Sequence, residues 1–405
     1  MKLSKVLNPF NWGKKETIYK LTDTDLYNQL GGYDSYTGKV VNAETMLYSS
    51  AMWSGIRLIA ETVGTLPIHL YKRTENGRVK DKEHPLYDRF HSQPNRYESD
   101  IEFKEQIAMA LIIFGTGYFK QMMFGDRGVF TFKHNNNVHL KTDRTDPYYL
   151  VTENGQTKEY SFDEIVRVKG FGGLGELEGS KTYKFSKHTV ALALAADEFG
   201  ARFFGQGGRP SGILSTDKLF TEQQREDLRK AMEPMLNPTK ENQGRLAVLE
   251  AGMKYTAISS TNSESQFTDV RKYQTAEAAR YLRIPLWMMM EPDGSKFNNN
   301  EQGNQHFLQF TLRPYLVRIE KALNTQVLPD DMKSTHYFEF DTAPLLRPDT
   351  QTRFDVYSKA RTSSIFTINE IRAMENKDPV QGGDDINAPL NSNVSEKASN
   401  KNEQN

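Results

Sequence analysis

Apolar side chains recur at helical spacing between Asn42 and Val63, where Trp53, Ile56, Ile59, Ala60 and Val63 mark one face. Pro67 closes that stretch. Ile68 to Tyr71 then reads as a short strand, with Asn76-Gly77 as a hairpin turn beyond it. A second helix is expected from Ser99, which stands three residues before Glu102 in the spacing of a capping box. Phe103, Ile107, Leu111 and Phe114 carry its apolar face to a stop near Gly115 and Gly117. From Tyr118 to Lys169 the pattern changes to short β-type runs: Tyr118 to Phe124, Val129 to Lys133, Tyr148 to Thr152 and Glu164 to Lys169. Turn signals such as Gly125-Asp126 and Asn154-Gly155 separate them, so this part reads as a small antiparallel β region attached to helices.

After Gly170 a long Ala- and Leu-rich helix is expected from Phe185 to Gly205, broken by Gly207-Gly208-Arg209-Pro210. A short strand (Gly212 to Ser215), a helix opened by Thr221 and Gln224, and a strand pair from Leu246 to Ile258 follow. A further helix runs from Ser263 to Arg283 and ends before Pro285. About fifty residues thus sit between two helices as an insertion on two stalks. The loop from Leu286 to Gly303 combines Trp287 and three Met with Lys296-Phe297-Asn298-Asn299-Asn300. A helix from Asn304 to Leu328 contains Pro314, which removes a backbone hydrogen bond and predicts a kink. Phe338 to Phe340 reads as a strand, and helices over Asp349–Arg361 and Asn369–Asn376 close the ordered part, the second with a capping box at Thr367 and Glu370. From Gly382 the tail is polar and Asn-rich and reads as disordered.

Composition narrows the possible functions. The 405 residues carry 52 Lys+Arg and 52 Asp+Glu, so bulk positive charge cannot hold nucleic acid, and any such contact must be local. The absence of cysteine removes disulfides, thiolate catalysis and Cys-type metal sites, and agrees with folding in a reducing compartment. Met1 to Lys20 holds five lysines and no apolar core of a signal peptide. The longest apolar run, Ile107 to Phe114, falls well short of the ~20 residues that span a bilayer.

The sharpest chemical motif is Gly170-Phe171-Gly172-Gly173-Leu174-Gly175, which fits G-x-G-x-x-G after a strand. Dinucleotide binding would need a helix directly after the loop and an acidic strand end about twenty residues on. Here the helix is delayed to Phe185 and position 197 falls in mid-helix, so the loop reads as a Gly-rich joint. Gly179-Ser180-Lys181-Thr182 is not a P-loop, because Ser180 separates the Gly from the Lys. His134 and His139 flank Asn135-Asn136-Asn137 without an evident third ligand, which suits a hairpin tip better than a metal site. No cofactor or metal is expected. The Leu286–Gly303 loop is the better candidate, because Asn and Lys on a loop contact phosphates without reading sequence.

Several stretches in fixed order resemble the HK97-type portal proteins of tailed bacteriophages. They begin with Trp53 to Ala60 and Leu66-Pro67, then His84-Pro85-Leu86-Tyr87, Gln93-Pro94-Asn95 and Phe114-Gly115-Thr116-Gly117-Tyr118. Glu198 to Phe204, Gly208-Arg209-Pro210, Leu249 to Met253, Gln266-Phe267, Ala279-Arg280 and Ile284-Pro285 continue the match. Asn300-Glu301-Gln302, Thr311 to Tyr315, Arg318-Ile319-Glu320, Leu345-Leu346-Arg347, Asn369 to Arg372 and Gly382-Gly383-Asp384 complete it. Two departures are local: Ser180 lacks the usual following Pro, and the loop carries a Met triplet.

The resemblance implies an α+β portal fold. Its parts would be a basic arm (1–19), a wing (20–185), stem helices (186–205 and 264–283), a clip (206–263), a tunnel loop (284–303), a kinked helix with a returning wing strand (304–346), a crown (347–381) and a disordered tail (382–405). It implies a non-enzymatic homo-oligomeric ring, usually a dodecamer, at the capsid vertex of a virion assembled in the host cytoplasm. Partners would be double-stranded DNA without sequence preference, the terminase large subunit, capsid and scaffold protein, and a head–tail adaptor, with no membrane. Lys296, Asn298, Asn299 and Asn300 are the expected channel residues of the tunnel loop, and Lys272, Arg280 and Arg283 those of the stem. A nucleotide-binding α/β enzyme using Gly170 to Gly175, or a monomeric peptide- or DNA-binding adaptor, are the alternatives.

Overall fold

The computed structural model describes residues 32–75, 77–124, 127–205, 212–215, 220–236, 254–257, 263–289, 300–346, 350–375 and 377–385. The chain divides into two compact units, one of Met1–Asn298 with His306–Phe340 and the other of Asn299–Gln305 with Asp341–Asn405. In the first, a two-stranded hairpin, β1 (Tyr33–Asp34) with β2 (Val40–Val41), leads into two helices where the sequence pattern suggests one. They are α1 (Ala43–Leu47) and α2 (Ser50–Thr65). Asn42 closes a capping box with Thr45, and the break falls at Tyr48 and Ser49. Strand β3 (Ile68–Thr74) follows Pro67 and pairs antiparallel with β4 (Gly77–Lys80); Asn76 of the expected turn lies outside the described residues.

His84 caps α3 (Pro85–His91) by accepting the Leu86 N–H on Nδ1 at 3.2 Å, with Pro85 suited to the first turn. In the next turn Asn95 is 4% exposed, and its amide donates to Phe130 O at 2.8 Å while its Oδ1 accepts from Tyr97 and Glu98. The Ser99–Glu102 box opens α4 (Asp100–Phe114) as expected, and Gly115 ends it at φ 74°. A side chain at Gly115 would overlap the backbone of Gly179 and Ser180, so the position needs glycine for both φ and space.

The β region forms two three-stranded antiparallel sheets. One has the order β10–β5–β6, with β5 (Thr116–Phe124), β6 (Arg127–Lys133) and β10 (Ile165–Lys169). The other is β7 (Val138–Lys141), β8 (Tyr148–Glu153) and β9 (Gln156–Ser161). β9 is missed by its sequence because all but one of its residues are exposed. Asn154 and Gly155, at φ 50° and 77°, make the tight turn that joins β8 to β9. Tyr118, Tyr149, Val138, Val151 and Ile165 share the core between the sheets. A chain of rings, Phe103–Phe119–Phe130–Phe90–Phe338, joins α4, the first sheet and α3 to Phe338, which lies on a strand paired with β3.

Beyond β10 come α5 (Thr182–Phe185) and α6 (Lys187–Gly205), separated at Ser186. β11 (Gly212–Ser215), α7 (Glu222–Leu236) and β12 (Lys254–Ala257) follow, and α8 (Ser263–Leu282) returns. β12 pairs antiparallel with β11; the first run of the expected pair, 246–253, lies outside the described residues. The expected Thr221–Gln224 cap is reciprocal, at 3.0 and 3.4 Å.

Next are α9 (Asn300–His306), a π-helical segment (Phe307–Leu312), α10 (Arg313–Ala322) and a second π segment (Leu323–Val327). Helix thus starts at Asn300, earlier than the apolar pattern shows. The chain accommodates Pro314 by switching to π pairing just before it: the Arg313 N–H reaches back to Leu308 O. β13 (His336–Phe340) then pairs antiparallel with β3. In the second unit, α11 (Thr350–Thr362) and α12 (Ile368–Met374) are tied by an Arg353–Glu375 ion pair and a Tyr357–Glu375 hydrogen bond. The Thr367–Glu370 capping box is present. Gly382 to Asp385, where the sequence reads as tail, form a described turn in which the Gly383 carbonyl accepts from Asn369 N; 386–405 lie outside the described residues.

Candidate functional site

The expected channel residues separate on the structure. Lys296, Asn298 and Asn299 lie outside the described residues, and Asn300 is the first residue of α9. Lys272 is exposed in the middle of α8, beside a 320 Å³ cavity that Arg271 and Asp197 also line. Arg271 and Asp197 form an ion pair that ties α8 to α6, and Gln274 adds a 3.3 Å hydrogen bond to Leu192 O. Gly200 faces the Phe267 ring, so the two antiparallel helices approach closely.

Arg280 and Arg283 come together at the other end of α8. Arg280 pairs with Glu277 and is well exposed. Arg283 sits one residue past the helix at φ 59°. Its N–H bonds back to Arg280 O at 3.3 Å and the Ile284 N–H to Ala279 O at 2.9 Å, the double bond of a Schellman helix end. That end almost always carries glycine; here an arginine accepts the strain, and the Thr311 hydroxyl donates to its carbonyl. Leu282, Ile284 and Met289 crowd Gly55 of α2, which leaves no room for a side chain there.

Arg280, Arg283 and Thr311 border a cavity of about 490 Å³ between α8, the Gly-rich loop, α5 and α10. Phe171, Phe185, Tyr281 and Tyr315 wall it, and Arg318 joins Arg280 and Arg283 as its third cation. Arg318 Nη1 is held by Gly170 O at 2.9 Å and Lys169 O at 3.2 Å, while the Tyr281 hydroxyl donates to Phe185 O at 3.2 Å. Burial raises the Tyr315 phenol above the usual tyrosine range against the opposing pull of Arg283 and Arg318, so it stays protonated. Among the described residues no carboxylate lines this cavity. In the sequence Arg318 stands only within a family stretch; its place beside Arg280 and Arg283 follows from Thr311 and α10 meeting the end of α8.

The Gly170–Gly175 loop is not open to a ligand in the way a nucleotide fingerprint requires. β10 is antiparallel to its neighbour, and the loop closes on itself. The Gly170 N–H bonds Gly115 O at 2.7 Å, the Gly173 N–H bonds Ser180 Oγ at 3.0 Å, and the Ser180 N–H bonds Phe171 O at 2.9 Å. Lys169 Nζ donates to Gly173 O, and Glu178 accepts from the buried Tyr118 hydroxyl at 2.5 Å. Gly170 and Gly173 pack against neighbouring backbone, and Gly172, Gly173 and Gly175 hold positive φ. His134, in turn, accepts from the Asn136 N–H at 3.2 Å and caps the 3-10 turn Asn135–Asn137. Among the described residues no group of three or more acidic or His side chains could hold a metal, and no helix is long and apolar enough to cross a membrane.

Comparison with known proteins decides the lineage. A family model described as phage portal protein matches residues 50–376. The chain belongs to the phage portal protein family. Within it, the portal protein of Enterobacteria phage HK97 is 30% identical over 352 residues, covering 85% of this chain and 82% of that protein. The portal fold is also shared with solved structures. The neck of a native gene transfer agent particle computed with C12 symmetry matches at TM-score 0.57 and 17% identity, covering 89% of this chain and 100% of that one. The crystal structure of an HK97 family phage portal protein from Corynebacterium diphtheriae matches at TM-score 0.55 and 14% identity, covering 78% and 98%.

The portal family stretches now have local physical reasons. Glu320 accepts the Phe340 N–H at 2.9 Å and Asn324 the Phe338 N–H at 2.6 Å, which pins β13 against α10 and the second π segment. Burial holds the Glu320 carboxyl above the usual carboxylate range despite that bond. Gln326 completes the free edge of β10 by bonding both Arg167 N and Arg167 O, at 2.9 and 2.8 Å.

Proposed function

We propose that this portal family member is a non-enzymatic ring component of a virion vertex that gives double-stranded DNA a conduit. The observation that carries the ring is a pair of apolar stripes that stay exposed to solvent on the α6–α8 pair. Phe185, Leu192 and Phe199 lie at seven-residue spacing along α5 and α6, at 60, 41 and 56% exposure. Val270, Tyr273 and Tyr281 line one face of α8. Repeated apolar stripes on paired helices suit burial against the next copy, and a head-to-tail interface that closes by rotation makes a ring. The C12 symmetry of the gene transfer agent neck favours twelve copies.

In this reading residues 20–185 are the wing, α6 and α8 the stem, 206–263 the clip, 284–303 the tunnel loop and 347–381 the crown. Lys272, Arg280 and Arg283 face the channel with Lys296, Asn298, Asn299 and Asn300, and the clip docks the terminase and then the head–tail adaptor. The balanced total charge lets DNA slide, since strong net attraction would hold it. Assembled rings should capture linear duplex of any sequence, in a salt-sensitive way, and Lys272→Glu with Arg280→Glu should weaken that capture equally across sequences. Equal capture of closed circular and linear DNA, or preference for one sequence, would contradict the conduit.

A further inference from the structure

We propose that the cavity between α8 and α10 is a phosphate-ester site, with Arg283, Arg318 and the Tyr315 hydroxyl as its anion-binding groups. Three observations converge there. Arg283 and Arg318 have no carboxylate partner among the described residues, although each opens onto a cavity of about 490 Å³. The backbone carbonyls of Lys169 and Gly170 fix one nitrogen of Arg318, which leaves the rest of its planar fork to a ligand. Arg283 holds left-handed backbone at φ 59° in a helix end that glycine would fill without strain, so its side chain is kept at a conformational cost.

The remaining lining sets the class of ligand. Phe171, Phe185 and Tyr281 give the cavity apolar walls far larger than a bare oxyanion needs, which suits a phosphate carried on an organic group. A phosphate seat also matches the charge, because the two guanidiniums and the phenol offer donors and no lining carboxylate repels the anion. The ligand is then a sugar phosphate, a nucleotide phosphate or a phosphate of a DNA backbone. Arg283, Phe185 and Tyr281 serve in both this site and the conduit reading, and the two are told apart by assay: phosphate binding to the single chain tests the site, duplex capture by rings tests the conduit.

The test uses the full chain, titrated with inorganic phosphate at ionic strength held constant with chloride, by thermal unfolding and by calorimetry. Phosphate should raise the Tm saturably. Arg283→Gly removes the guanidinium while relieving the strained backbone, so it should fold with unchanged or higher Tm and bind phosphate about tenfold or more weakly, as loss of a charge-assisted hydrogen bond dictates. Arg318→Lys, which keeps the charge and loses the fork, should weaken binding as well. A mixed-sequence duplex that displaces phosphate marks the DNA backbone as the source; one that does not marks a small phosphate ester, and both uphold the site. No saturable response beyond the chloride control, or an equal response in Arg283→Gly, overturns it. So does a response present in the dilute monomer and lost in assembled rings, which would give the cavity to a neighbouring copy.

Discussion

The sheet core around Phe119 and the α6–α8 helix pair belong to one compact unit, yet they dispose of their apolar side chains in opposite ways. Phe103, Phe119, Phe130, Phe90 and Phe338 are all at most 2% exposed and close a continuous chain of rings. On α6 and α8 the buried side is filled mostly by small residues, Ala191, Ala193, Ala278 and Ala279, with Val190 and Leu282, while Leu192, Phe199 and Tyr273 point outward. The first region completes itself within one chain. The second spends its bulk on a surface that a single copy cannot cover, which is what a ring-forming subunit requires.

The largest break in this contrast should come from Phe119→Ala. The ring is 0% exposed and touches both Phe103 and Phe130, so its loss should cost about 3–5 kcal/mol in urea unfolding. A smaller and pH-dependent effect is expected at Glu320. Its folded pKa is raised above the 4.5 of the free group, so the folded state holds a proton that the unfolded state has released above that value. Stability from this group is therefore fully present below 4.5 and is lost as pH rises through the higher folded pKa. Glu320→Gln, which keeps an acceptor for Phe340, should flatten that part of the stability profile and match or exceed the parent at pH 7. Smallest in the monomer, within ~0.5 kcal/mol, should be Leu192→Ser and Tyr273→Ser, because both side chains are exposed in the single chain.

Much of the fold was legible because local chemistry agreed with global structure. The Ser99–Glu102, Thr221–Gln224 and Thr367–Glu370 boxes all sit where their spacing placed them. What escaped was set by contacts distant in sequence. β9 shows no apolar alternation because it is an exposed edge strand, and β12 found its partner in β11 about forty residues earlier. The site was only half visible for the same reason. Arg280 and Arg283 stand out in the sequence by their charge in a helical stretch, whereas Arg318 joins them beyond a π segment that no propensity pattern signals. The Gly170–Gly175 loop misleads in the reverse direction: its glycines look like a phosphate cradle, yet Gly170 serves to pack backbone to backbone with Gly115, and Gly172, Gly173 and Gly175 hold the positive φ of the turns.

The central claim is that the exposed apolar stripes of α6 and α8 are closed by further copies. Electron microscopy of the purified full chain at high concentration, beside Leu192→Asp with Tyr273→Asp, tests it most directly. The account predicts annular particles with rotational symmetry for the parent and folded monomers for the double variant. A parent that stays monomeric, or rings that survive both charges, would contradict it.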